Sequence, residues 1–414
     1  MIFFIYQFLL SIILIFSPII IIIRILKNKE DKLRFKEKFC LISKERGSGK
    51  LVWFHGSSVG EILSVIPIIK KYDNDKSIGK ILITSSTLSS SKILEKIKFK
   101  KTIHQFYPID HAIFSRKFLD HWKPNIAIFL ESEIWPSMFK SIKNRNILLI
   151  LLNARITKRS FDRWSKFKEF SYSIFGLIDK AYSQNSETNH YLKRLNVKNI
   201  QSIGNIKFIE DDNIKSDKSD KKLFSQFKKY KTFIAASTHK TEELFAAKTH
   251  ILLKKKNKNI ITIIIPRHIN RVKQIISEIN ELGLNVVSRS SKKLKLKGID
   301  IFIVDTFGET KKFYKFATTV FLGKSIVKGG GQNPLEPARF GAKILHGPDV
   351  NNFKDVYKYL SKLGISSVVN SPQKCANSIV FKKNMKKVQK MKYLGSTILK
   401  KTLNELDKSI HNET

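Results

Sequence analysis

Short runs of Ile, Val, Leu and Phe punctuate the chain from Leu51 onward: KLVWFHGSS, KILITSS, PNIAIFLESE, NILLILLNAR, KAYSQN and NIQSIGN. None alternates apolar with polar residues. Such runs are strands buried on both faces, as in a parallel sheet covered by helices. Amphipathic stretches lie between them, among them VGEILSVIPIIKKY and HAIFSRKFLDHW. This rhythm predicts a doubly wound α/β domain over residues 50–208. A polar break, IEDDNIKSDKSDKK at 209–222, reads as a linker. The rhythm restarts with KTFIAAST, NIITIIIPRH, NVVSRS, DIFIVD, TTVFLGK, AKILHG and SSVVNS. A second such domain is expected over 223–414, ending in a lysine-rich helix from about Pro372. Two Rossmann-like halves suggest a cleft enzyme whose ligands lie at the carboxyl ends of the strands.

The N-terminus follows another pattern. No charged residue occurs from Met1 to Ile23, and Arg24, Lys27, Lys29, Lys32 and Arg34 then follow in quick succession. A helix over 1–24 is long enough to cross about 30 Å of hydrocarbon. Pro18 would kink it, as membrane helices tolerate. The basic cluster after it, in a tether over 25–49, places the body on the cytoplasmic side. A cleaved signal peptide is disfavoured, because no basic segment precedes the run and no small-residue cleavage site follows it. A shallow or re-entrant seat fits the same residues.

Charge sharpens this picture. The 414 residues carry 77 Lys and Arg against 34 Asp and Glu, a formal net charge of +43. Part of that excess is what an AT-rich coding bias would produce, since Lys, Ile, Asn, Phe and Ser are abundant together. The rest suits an anionic surface, where each basic residue contributes about 1 kcal/mol. A membrane-tethered nucleic-acid binder would need lysines interleaved with exposed aromatics or a reading helix. The phenylalanines fall instead within core-like runs, so no nucleic-acid partner is expected. Two cysteines, Cys40 and Cys375, fit a reducing compartment.

Three places can carry chemistry. In WFHGSSVGE, Ser58 and Glu61 form an S-x-x-E capping box at a strand-to-helix turn. The same carboxylate can accept a proton from a substrate hydroxyl. In FLESEIWP, Glu131 follows an apolar strand directly, where a carboxylate is costly unless it reaches a crevice. Glu133 should point the other way and bind local backbone. In VKGGGQNPLEPA, three glycines precede Asn333 as N-cap, Pro334 at the first helical position and Glu336 in capping-box position. A helix start after such a turn suits phosphate or ribose. Arg267 ends another strand with a planar donor fork. Gly308 and Glu309 end a further one, Ser237 and Thr238 precede a helix, and Lys207 follows Gly204-Asn205 and Ile206 at the domain junction. No HExxH or paired CxxC occurs, and no catalytic metal is expected.

In order, HGSSVGE, TSSTLSS, FYPID, ESEIWP, LLNARITKRSF, GNIKF, AASTHKTEE, IIPRH, VDTFGE and GGGQNPLEPA resemble the motif series of the Kdo (3-deoxy-D-manno-octulosonic acid) transferases. The resemblance runs from about Leu51 to Phe353. It implies a GT-B glycosyltransferase, with two Rossmann-like domains, a cleft between them and an N-terminal membrane anchor helix. It implies inverting, metal-independent transfer of Kdo from CMP-Kdo to a phosphorylated lipid A precursor (lipid IVA) at the bacterial inner membrane. Anionic lipids are the expected surroundings, and no cofactor is expected. By resemblance Glu61 is the general base, and Glu131 and Lys207 stabilise the transition state. Pro266, Arg267, Phe307, Gly308, Glu309, Asn333, Pro334, Leu335 and Glu336 would hold the CMP moiety. Gln332 stands where many members carry His, Gly56 where they carry Ala, and Phe307 where Met is common. A GT-B enzyme with another nucleotide-sugar donor is the alternative.

Overall fold

The computed structural model describes residues 2–209, 221–291 and 295–411. Two compact units divide the chain, Met1–Asp211 with Leu394–Thr414, and Asp212–Tyr393. Most of the expected linker, 210–220, lies outside the described residues.

The first unit holds seven strands: β1 (Leu51–His55), β2 (Lys80–Ser85), β3 (Thr102–Phe106), β4 (Ile126–Leu130), β5 (Leu148–Ala154), β6 (Lys180–Ser183) and β7 (Ile200–Ser202). They pair in parallel in the order β3-β2-β1-β4-β5-β6-β7. Every residue of β1 and β4 is buried, which accounts for their lack of alternation. Trp53, Phe118, Phe129 and Phe139 fill the core on one face. The Trp53 indole still finds a partner, donating to Thr84 Oγ1 at 2.8 Å. Because chain order reverses between β1 and β4, the loops after these two strands flank the sheet's switch point.

The second unit repeats the plan with β8 (Lys231–Thr238), β9 (Ile260–Pro266), β10 (Val286–Ser288), β11 (Ile301–Ile303), β12 (Thr319–Leu322), β13 (Lys343–His346) and β14 (Ser366–Val368). Their parallel order is β10-β11-β9-β8-β12-β13-β14. Its switch point lies between β8 and β12.

Two boundaries differ from the sequence reading. The last helix, Met385–His411, was expected wholly in the second domain, but its residues from Leu394 onward belong to the first unit. Side-chain partners explain this. Tyr72 donates to Asp407 at 2.8 Å, Lys50 to the Ile410 carbonyl at 2.7 Å and Lys180 to Ser409 at 2.9 Å. Leu406 and Ile410 are fully buried. The segment 25–49 is also more than a tether. Arg34–Phe39 forms a short 3-10 helix, Arg34 forks onto the buried Glu37 at 2.8 and 3.0 Å, and Glu37 accepts from the Phe106 N–H.

The apolar N-terminal helix is Ile2–Leu26, with Pro18 inside it. It is long and apolar enough to cross a membrane, by length and composition.

Candidate active site

The turn after β1 holds Glu61 at the third position of the helix Val59–Asp73, in the expected capping box with Ser58. Glu61 Oε2 accepts from the Ser57 N–H at 2.7 Å, and Oε1 accepts from Ser58 Oγ at 2.8 Å. The cap is therefore present, with both carboxylate oxygens held by the turn and the residue half-buried. Burial, then the negative charges of Glu133 and Glu131, push Glu61 up to about 7. A carboxylate that titrates near neutrality is matched to general-base work.

Across the switch point, β4 ends at Leu130 and Glu131 adopts a left-handed backbone, φ 54°. Its amide still donates to the Leu152 carbonyl at 3.0 Å. Glu131 is buried, and Lys207 Nζ lies 2.5 Å from its Oε1. The structure thus brings together the three residues singled out in the first domain.

Three further polar residues support this pair. Asn153, left-handed at φ 55° in a bulge of β5, gives its Nδ2 to Glu131 at 3.4 Å and accepts from the Ile206 N–H at 3.0 Å. Gln184 donates to the Asn153 carbonyl at 2.9 Å and accepts from Asn205 at 3.1 Å. Asn205 in turn accepts from the Lys207 N–H at 2.9 Å. The segment bearing Lys207 is thereby fixed by amides from the ends of β5 and β6.

Glu133 departs from its expected role. Its Oε2 is 2.6 Å from Ser57 Oγ, 2.9 Å from Trp135 Nε1 and 3.3 Å from His55 Nε2, all side chains rather than local backbone. Glu133 lies beyond the end of β4, where the turn brings it to these side chains. Burial raises the Glu133 carboxyl, but hydrogen bonds from His55, Ser57 and Trp135 outweigh this and hold it below its ordinary value. His55 is fully buried, stacked on Tyr107 with ring centroids 3.9 Å apart, and burial pulls its pKa down.

In the second unit, the residues expected to hold a nucleotide all follow the carboxyl ends of β9, β11 and β12. Pro266 is buried at the end of β9, and Arg267 beside it is exposed. Phe307 is 86% exposed. Gly308 has φ 80° and Glu309 sits between Arg289 at 3.1 Å and Lys312 at 3.2 Å. Burial raises the Glu309 carboxyl, but hydrogen bonds from Thr306, Arg289 and Lys312 hold it below its ordinary value.

The glycine turn after β12 differs from expectation in two ways. The helix after it is one short turn, Leu335–Arg339, so Pro334 is its N-cap rather than its first residue. Asn333 Oδ1 does accept from the Leu335 N–H at 3.0 Å, but Glu336 pairs with Lys311 at 3.8 Å instead of closing a capping box. Gly341, at φ 83°, follows the end of this helix, which at five residues is too short for a sizeable dipole. The amides of Gly329 and Gly330 are also not open to an anion, because Asp349 Oδ2 accepts from both, at 2.8 and 3.0 Å. Behind the turn, buried Glu242 gathers the N–H groups of His239, Lys324, Ser325 and Ile326 at 2.7 to 3.1 Å. Glu242 and Asp349 therefore shape the loop.

Two seven-stranded parallel sheets, an acid–lysine site on one and basic, glycine-containing strand-end loops on the other describe a glycosyltransferase of GT-B-like fold. Solved structures bear out the fold. UDP-GlcNAc 2-epimerase from Neisseria meningitidis, bound to UDP-GlcNAc, superposes with TM-score 0.57 at 13% identity over 87% of this chain and all of that one. The family model of 3-deoxy-D-manno-octulosonic-acid transferase (kdotransferase) matches residues 33–210. A 3-deoxy-D-manno-octulosonic acid transferase of Rickettsia bellii is 33% identical over 377 residues, 91% of this chain and 90% of the relative. One from Haemophilus influenzae is 26% identical, over 77% of this chain and 76% of its own length. The chain belongs to the Kdo transferase family.

Proposed function

We propose that the protein transfers Kdo from CMP-Kdo to a hydroxyl of a phosphorylated lipid A precursor, lipid IVA, in lipopolysaccharide synthesis, with inversion and without a metal. The observation that carries this reading is Glu61, raised to about 7 and held by Ser57 and Ser58 beside the Lys207–Glu131 pair. Ionised Glu61 takes the proton of the acceptor hydroxyl as its oxygen attacks the anomeric carbon of Kdo. The bond from that carbon to the CMP phosphate oxygen breaks, and CMP leaves with the electron pair. Attack on the face opposite the leaving phosphate inverts configuration. The Glu131 carboxylate offsets positive charge developing at the anomeric carbon, and Lys207 pairs with that carboxylate and holds it in place. The exposed Arg267 guanidinium takes the phosphate, a role its planar fork suits. Phe307, Gly308, Glu309 and the Asn333–Glu336 segment complete the nucleotide site, and Gln332 beside them can donate a hydrogen bond but cannot titrate.

The test is mass spectrometry of lipid IVA after incubation with CMP-Kdo and either the wild-type protein or Glu61→Gln. Addition of Kdo by wild type and none by a folded Gln variant is expected. Addition by both would reduce Glu61 to a helix cap. Addition by neither, with transfer from a UDP-sugar, would overturn the donor.

A further inference from the structure

The apolar helix Ile2–Leu26 is not a free stalk. Tyr6 Oη donates to Asp110 Oδ2 at 2.7 Å, and Gln7 Nε2 donates to Ser137 Oγ at 2.6 Å. Gln7 Oε1 accepts from the Ala112 N–H at 3.1 Å, and Ser11 Oγ is 3.2 Å from His111 Nε2. Lys140 Nζ stands 3.5 Å from the centre of the Phe3 ring. At the other end, Arg24 is 3.0 Å from the buried Glu30, which also takes Lys38 at 2.7 Å.

The shielded positions, Phe3, Tyr6, Gln7, Leu10, Ser11, Leu14, Ser17, Ile21, Arg24 and Ile25, recur every three or four residues along the whole helix. One stripe therefore faces the first unit throughout. The opposite stripe is apolar and open: Phe4, Phe8, Ile12, Ile15, Ile19 and Ile22 are all exposed.

This geometry conflicts with a spanning helix. Tyr6 and Arg24 are separated by roughly 27 Å of helix, nearly the thickness of the hydrocarbon, about 30 Å. Were Arg24 at the cytoplasmic surface and the helix upright, Tyr6 would sit near the far face. Asp110, His111 and Ser137 would have to follow it through the lipid, at a cost polar and ionisable groups do not bear without need. We propose that the helix lies along one leaflet as an in-plane seat, its open stripe in the acyl chains and its N-terminus on the same side as the catalytic unit. Arg24, Lys27, Lys29 and Lys32 at its end suit the anionic headgroups of that leaflet. The occupant of the open stripe is lipid: the stripe is uniformly apolar, whereas the stripe on protein carries Tyr, Gln and Ser.

The test uses the full-length chain in bacterial membranes, with Cys40→Ser and Cys375→Ala removing its two free thiols. Gln7→Cys and Ser137→Cys are introduced together and treated with a short bifunctional maleimide. An intrachain link is expected. Alkylation of both cysteines by a monofunctional maleimide without any link by the bifunctional one would overturn the proposal. So would labelling of Ile2→Cys by an impermeant maleimide in spheroplasts but not in inverted vesicles. A photoactivatable phospholipid should mark Phe4, Phe8, Ile15 and Ile19. Chain-to-chain links at those residues in place of lipid adducts would assign the stripe to a second copy and overturn the lipid occupant.

Discussion

Lys207 and Glu131, far apart in the chain, meet at 2.5 Å because the loops after β4 and β7 both rise from the carboxyl edge of one parallel sheet. Removing one partner strands the other. Lys207→Met leaves a buried carboxylate without its ammonium and should cost about 3 kcal/mol. The double variant Glu131→Gln/Lys207→Met should recover most of that stability but none of the transfer activity. Chemical denaturation and a Kdo-transfer assay on the three proteins check both statements.

Glu61 couples activity and stability in opposite directions. It must be ionised to accept a proton, so kcat/KM should fall on the acid side with a midpoint near the value of about 7 to which burial, Glu133 and Glu131 raise it. The folded protein binds this proton more tightly than the unfolded chain does. The group's stabilising contribution is therefore complete below its ordinary 4.5 and is lost as pH rises through about 7. Glu61→Gln should accordingly raise the Tm at pH 8 more than at pH 5, while lowering kcat at least about 100-fold.

The sheet rhythm was plain in the sequence because β1, β4, β8 and β9 are apolar runs without alternation. Glu131 stood out because an acid directly after such a run is costly without a use, and Glu61 because it closes a capping box at a strand-to-helix turn. Glu133 was misread because it lies beyond β4, in a turn whose side-chain partners local sequence does not name. Asn153, Gln184 and Asn205 are single amides after apolar runs, and only the adjacency of β5, β6 and β7 makes them a network. Asp349 comes well after the glycines it occupies, so local sequence gave the turn but not its contents. The residues from Leu394 onward were placed in the wrong unit because a helix pattern does not name its partners.

Arg267 is exposed, so its truncation should leave stability within about 0.5 kcal/mol of wild type. Arg267→Ala is expected to raise the KM for CMP-Kdo roughly tenfold or more, the worth of a charge-assisted contact, with a smaller change in kcat. An unaltered donor KM would remove this residue from the nucleotide site.

Gly330 has φ 82°, and a Cβ there would lie 2.6 Å from the Asn352 amide. Gly330→Ala should destabilise the second unit by about 1–2 kcal/mol from backbone strain alone, and by more if Asn352 is displaced. Thermal unfolding read alongside CMP binding would detect both. Asp349→Ala should weaken CMP binding as well, by freeing the two amides whose position it sets.

Glu131, just after β4, and Asn153, in the bulge of β5, are non-glycine residues in left-handed backbone, and their side chains meet each other and, through Glu131, Lys207. Each conformation costs on the order of 1–2 kcal/mol that glycine would not incur. Glycine at 131 or 153 would relieve this strain, but it would also strip Lys207 of its carboxylate or the Ile206 N–H of its acceptor, at about 3 and about 1–3 kcal/mol. Directed evolution for heat resistance therefore has little to gain by relaxing these two backbones, because the contacts that hold the strain are the ones that build the site.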